Sequence, residues 1–144
     1  MAPYARRPAI RADQTTIFEG YRLTVGDYVA EAWGWDEQKQ QTGFWKHHPL
    51  EQFEVIEIDN AFAGGLHIVE DAGDYHIRMI YLLPASQNRG IGARLITDIH
   101  TAARNKNKGL SLKVIHCNPA SSLYERLGFV LTAEINGLKS MHWA

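Results

Sequence analysis

Tyr81-Leu-Leu-Pro84-Ala-Ser-Gln87-Asn-Arg89-Gly90-Ile-Gly92-Ala-Arg94 is the stretch that decides the fold. An apolar run from His76 to Leu83 stops at Pro84, which cannot donate to a central ladder and so marks the end of a strand. Ala85 to Asn88 form a short polar segment, and a helical pattern starts with Gly90-Ile91-Gly92. Glycines carry no Cβ, so a ligand can come close to the backbone there. The first-turn N–H groups of a helix have no partner inside it and lie at the positive end of its dipole, where a phosphate is favoured. Arg89 adds a fixed, forked positive charge. A lone G-x-G would be only a softened turn. The order strand, proline stop, Gln/Arg/Gly loop and amphipathic helix supplies the context of an anion-binding turn. No Gly-Lys-Ser/Thr follows, against a phosphate loop of the Walker type, and the third glycine and distal acid of a dinucleotide fold are missing.

Downstream, the pattern predicts a helix from Gly90 to about Lys106, with Ile91, Leu95, Ile99 and Ala102 as its apolar stripe and Gly109 as its stop. Leu110 to His116 reads as a strand, so a strand–helix–strand unit implies a parallel pair with a right-handed crossover. Asn118-Pro119 opens a short helix that Gly128 closes. Tyr124 is rotated about 100° from Leu123 and so need not be core. Phe129–Glu134 and Leu138–Trp143 flank Asn136-Gly137, a strong hairpin signal. Upstream, Phe53–Ile58, Phe62–Val69 and Tyr75–Leu83 form an antiparallel meander, with a bulge or close approach at Gly64-Gly65. Residues 1–7 read as a loose arm, Pro8–Ala12 as a first strand, Thr15–Trp33 as a bent or broken helix, and Asp36 as the cap of a helix ending near His48.

Gln87-x-x-Gly90-x-Gly92 after a strand resembles the acyl-CoA pyrophosphate loop of the GNAT N-acetyltransferases, Q/R-x-x-G-x-G/A. Asn118-Pro-Ala-Ser-Ser-Leu-Tyr124-Glu-Arg-Leu-Gly128-Phe129 resembles that family's second signature, N-x-x-A/S-x-x-L-Y-x-x-x-G-F, one helix and one strand later. The likeness spans about Gln52 to Trp143 and implies one α/β (α+β) domain over residues 1–144. Its sheet would be mixed, mostly antiparallel and twisted, with six to seven strands, about four flanking helices and a splayed parallel pair.

The resemblance also implies a reaction: direct transfer of the acetyl group of acetyl-CoA to a primary amine. Leu82 and Leu83 would pair with the pantetheine arm. Gln87, Asn88, Arg89, Gly90, Ile91, Gly92 and Ala93 would hold the pyrophosphate, and Asn118 would reach the pantetheine or thioester. Tyr124 would protonate the leaving thiolate, as a neutral phenol of pKa about 10 can. His76, eleven residues before Gln87, stands where some members carry the base that deprotonates the amine; ordered water, Glu54, Glu57 and Glu70 are the alternatives. Cys117 beside Asn118 makes a covalent acyl route conceivable, though direct transfer is the family norm. A non-catalytic acyl-CoA-binding or protein-interaction module on the same fold is the competing reading. Acceptors left open are a small amine or amino acid, a protein N-terminus or lysine, an aminoglycoside, or a polyamine. The Trp33-Gly-Trp35-Asp36-Glu37 stretch either walls the acceptor site or packs as core and solvated helix ends.

The 144 residues, 45% apolar and 22% charged, fit one ordinary globular domain. A net charge of −1 gives no general pull toward nucleic acid or an anionic membrane, so neither is expected as a partner. The lone Cys117 allows no internal disulfide, and no signal-like or membrane-spanning run is present; a cytoplasmic location is expected. The histidines lack metal-ligand spacing, and no metal is expected. Pairing through the last strands, a homodimer, is what the family suggests.

Overall fold

The computed structural model describes residues 3–144. Seven strands form one sheet: β1 (Ala5–Pro8), β2 (Phe53–Ile58), β3 (Ala61–Glu70), β4 (Asp74–Leu82), β5 (Gly109–Ile115), β6 (Val130–Ile135) and β7 (Leu138–Trp143). Their spatial order is β1-β2-β3-β4-β5-β7-β6. Among the described residues only β4 and β5 run parallel. Five helices flank the sheet: α1 (Gln14–Thr24), α2 (Gly26–Trp33), α3 (Glu37–His47), α4 (Ile91–Asn105) and α5 (Ala120–Leu127). No described helix is long and apolar enough to cross a membrane.

Alternation along the strands builds two cores. On one face α4 and α5 pack Ile91, Leu95 and Ile99 against Ile56, Leu66, Leu110 and Met141. On the other, α1 to α3 pack Ile17, Phe18, Tyr21 and Phe44 against Phe53, Val55 and Tyr81. Each fully buried side chain of this size contributes about 1.5–3 kcal/mol. The stripe of α4 continues to Ala103, not Ala102, and includes Ile96: the buried residues step every four, about 40° further round the helix each time, so the buried face winds around it.

Several expectations shift. Ala5–Arg7, read as part of a loose arm, and Pro8, read as the start of the first strand, together form β1, paired with Glu57 to Glu54. The expected strand at Pro8–Ala12 is mostly turn, since Asp13 caps back onto the Ile10 N–H at 2.8 Å. Residues 1–2 of the arm lie outside the described residues. Gly109 is not the stop of α4: Asn107 takes the left-handed turn (φ 59°), and Lys108 N–H donates to Ala103 O. Asp36 does cap α3, its carboxylate accepting from Lys39 N–H at 3.0 Å. The Asn136-Gly137 hairpin has both residues at positive φ, as a type I′ turn needs. Gly64 and Gly65 are close approaches: a Cβ would lie 2.1 Å from Tyr81 O at Gly64 and 2.7 Å from the Phe53 and Tyr81 rings at Gly65. β6, the edge strand, leaves Val130, Leu131 and Ile135 exposed.

Candidate active site

The site begins as a defect in the sheet. β3 and β4 pair His67 with Met79 and Ile68 with Ile77, so Arg78 is an extra residue in β4. A bulge of this kind bends its strand and raises the local twist. The parallel ladder to β5 runs from Asp74↔Gly109 only to Ile77↔Leu112, ending where the bulge starts. Beyond it the two strands part, although β4 continues to Leu82 and β5 to Ile115. A cavity of about 1140 Å³ follows the gap, lined by both strands, α1, α2, α5 and β7.

At one end lies the glycine turn. Asn88 (φ 59°) and Gly90 (φ 75°) are both left-handed, and Gly90 starts α4 with no side chain capping the helix. The N–H groups of Ile91, Gly92 and Ala93 are therefore left for another acceptor. A Cβ at Gly92 would meet only Leu82 Cδ1 at 3.7 Å, and one at Gly90 nothing within 4 Å. Gly92 has no packing reason within the chain, so the space beside it suits an outside group. Arg89 is exposed and forms no ion pair among the described residues. Gln87 does not face outward alone: its Nε2 donates to Leu82 O at 2.8 Å. Leu83 is turned the other way, its N–H donating to Ala63 O at 2.7 Å and its carbonyl accepting from Ser86 N–H. Strand alternation leaves Leu82, not Leu83, with its backbone toward the gap.

Tyr124 of α5 and Asn118, just before that helix, line the cavity. Asn118 Oδ1 accepts from Ala120 N–H at 2.9 Å, a cap, while the residue lines the cavity. Contrary to the helical-wheel expectation, Tyr124 is 7% exposed and packs on Phe129 at 5.7 Å between centroids. Its hydroxyl has no partner among the described residues, yet no enclosed side-chain polar atom there lacks one. The hydroxyl therefore opens onto the cavity that Tyr124 lines. Burial pushes its pKa up to about 12, so the phenol holds its proton at neutral pH.

His76, in the ladder opposite Ser111, has both ring nitrogens engaged. Nε2 meets Asp71 Oδ2 at 2.6 Å, and Nδ1 contacts Ser111 Oγ. Asp71 is held down to about 2, first by the backbone N–H of Asp74 and then by His76, so it stays a carboxylate. With Nε2–H donated to it, Nδ1 is the acceptor for the Ser111 hydroxyl. The three rival glutamates are committed elsewhere: Glu54 to Arg6, Glu57 to Arg7, and Glu70 to Lys106 and Lys108. The Cys117 thiol is pushed up by the neighbouring Glu31, which disfavours a nucleophilic thiolate.

Of the WGWDE stretch, only Trp33 lines the cavity; its Nε1 donates to Asn136 O at 3.2 Å. Trp35 packs on Phe18 and Tyr21. Asp36 is the cap of α3, and Glu37 pairs with Arg22 at 2.5 Å.

A buried pair was not legible in the sequence. His48 Nδ1 lies 2.8 Å from His67 Nδ1, and His67 Nε2 lies 3.1 Å from Gln52 Oε1. The carbonyl of Gln52 fixes the proton on His67 Nε2, so His67 Nδ1 accepts from His48 Nδ1–H. His48 Nε2 is left as a bare lone pair toward the cavity. Burial, then His67 and Arg78, lower His48 to about 3, and burial lowers His67 as well. No group of three potential ligands able to hold a metal occurs among the described residues.

The sequence matches the family model described as "Acetyltransferase (GNAT) domain" over residues 49–131, more than half the chain. No protein of curated function matches it. Among solved structures, the fold is similar to the PaiA N-acetyltransferase of Thermoplasma acidophilum, solved in complex with coenzyme A. The TM-score is 0.77 at 17% identity, covering 97% of this chain and 98% of that one. The ribosomal-protein-S18-alanine N-acetyltransferase of Escherichia coli gives 0.70 at 16% identity, over 97% and 92% of the two chains. A GNAT-family acetyltransferase of Listeria monocytogenes gives 0.66 at 16%, over 96% and 93%. Sheet, splayed pair and matched residues together place this chain in the GNAT acetyltransferase family.

Proposed function

We propose that the protein transfers the acetyl group of acetyl-CoA to a primary amine by direct attack in a ternary complex. The observation that carries this reading is the unpartnered Tyr124 hydroxyl, open to a cavity that follows the gap between β4 and β5. Coenzyme A bound to the Thermoplasma relative, on a fold this similar, supports the choice of donor.

Acetyl-CoA would supply an acyl carbon activated as a thioester. The N–H groups of Ile91, Gly92 and Ala93, with Arg89, Gln87, Asn88 and Gly90 shaping the turn, would hold its pyrophosphate. The backbone of Leu82 would pair with the pantetheine, and Asn118 would steady it from across the gap. Ser111 would take a proton from the attacking nitrogen and pass its own to His76 Nδ1, with Asp71 holding the ring. Tyr124 would give its proton to the departing sulfur; a phenol with a raised pKa stays protonated until that moment.

Saturating acetyl-CoA should raise the melting temperature, because a ligand that binds only the folded state stabilises it. Tyr124→Phe should lower kcat by about 10²-fold or more with little change in the KM for acetyl-CoA. Cofactor stabilisation with no release of free CoA across amines, peptides and aminoglycosides would instead favour a non-catalytic acyl-CoA-binding module.

A further inference from the structure

The side of the cavity that faces α1 to α3, where Ser111 and His76 would meet the acceptor, carries a charge pattern that the transfer reaction itself does not require. Ser111, Lys113 and Ile115 of β5 face α1 to α3, since Leu110, Leu112 and Val114 face α4. Arg78 directly follows Ile77 and Lys113 directly follows Leu112, the last paired residues of the β4–β5 ladder, so the two flank the point where the strands part. Both line the cavity. Neither forms an ion pair among the described residues. Both are exposed, and two like charges flanking one opening repel each other unless an anion lies between them.

The cavity's two carboxylates do not fill that gap. Asp71 is held by His76 and by the N–H groups of Gly73 and Asp74, and Asp74 meets His142 Nε2 at 3.1 Å. Asp74 is four residues back along β4, about 13 Å at strand rise. Arg78 also reaches the acceptor side, since its charge bears on both His48 and His67. The glycine turn lies past the far end of β4, so cofactor phosphates held there would not occupy this gap.

We propose that the acceptor is a primary amine that also carries an oxyanion, a carboxylate or a phosphate, and that Arg78 and Lys113 clasp that oxyanion across the parted strands. Arginine's fork suits either anion, and the lysine closes on it as a point charge. Ser111 and His76 lie two residues back on the same two strands, about 7 Å away, so one small acceptor can present its amine to them while its oxyanion is held. Polycationic amines meet two like charges at this place and are disfavoured.

This inference rests on the amine-transfer reading, and its test separates the two. CoA release is measured with β-alanine and glutamate, with phosphoethanolamine, with β-alaninamide, and with spermidine and kanamycin; stabilisation by acetyl-CoA is measured in parallel. An anionic amine should exceed its neutral counterpart by about tenfold or more in kcat/KM, as a charged hydrogen-bonding pair implies. The carboxylate and phosphate arms show which oxyanion fits. Arg78→Met and Lys113→Met should each narrow that ratio through the KM of the acceptor, with the KM of acetyl-CoA little changed. Turnover confined to neutral or polycationic amines overturns the inference alone, as does an equal fall of all rates in both variants. Stabilisation by acetyl-CoA with no turnover in any arm overturns the transfer reading and this inference with it.

Discussion

Replacing both buried histidines, His48→Leu with His67→Leu, tests the electrostatics of the buried pair beside the cavity. In the wild type His48 is 8% exposed and its pKa is lowered to about 3. In the unfolded chain it returns to about 6.5. The unfolded state therefore binds a proton first as pH falls. The stability tied to neutral His48 is complete above about 6.5 and is lost progressively as pH falls from there toward about 3. By linkage, the loss at pH 5 is about 2 kcal/mol from His48 alone. For a chain of this size that is roughly 6 °C in melting temperature. His67 shifts in the same direction and adds to it. Leucines at both positions remove the titration, and replacing both partners leaves neither imidazole unpaired. Urea melts of both proteins at pH 7.5 and pH 5 provide the measurement. The double variant should lose about 2 kcal/mol less than the wild type between the two conditions. Equal losses would mean that the pair titrates as it does in water, and would refute the burial argument.

Gly92→Val should weaken acetyl-CoA binding at least tenfold in a thermal-shift or calorimetric titration, with the apo melting temperature within a few degrees of wild type, since a Cβ there meets only Leu82 Cδ1, at an ordinary contact distance of 3.7 Å. His76→Gln should lower kcat with the KM for acetyl-CoA little changed, and an unchanged kcat would remove His76 from proton transfer. Gly109→Ala would put a Cβ 2.7 Å from His142 Nε2 and 2.8 Å from Asp74 Oδ1, so a loss of about 1–3 kcal/mol is expected in denaturant melts. Leu95→Ala, at a fully buried position in α4, should cost about 2–5 kcal/mol by the same measurement.

What the sequence alone determined was local. The Pro84 stop, the glycine turn, the Asp36 and Asn118 caps and the Asn136-Gly137 hairpin each depend on a few adjacent residues and on backbone angles that those residues favour. The three-stranded meander and the strand–helix–strand unit follow from periodicity, which burial of one face enforces. The tertiary structure alone decided what depends on pairing between distant segments. The extra residue Arg78 exists only relative to β3, and it is what parts β4 from β5. β7, last in the chain, inserts between β5 and β6 because its ladder with β5 fills an open edge, and no local signal carries that choice. Tyr124 is buried by Phe129 rather than by its own helix, and His48 meets His67 across 19 positions of sequence. Glu37 likewise pairs with Arg22, 15 residues away, a partner that no local pattern names. Periodicity records which face of an element is buried; it does not record which partner buries it, and the chemistry of this site lies in those partners.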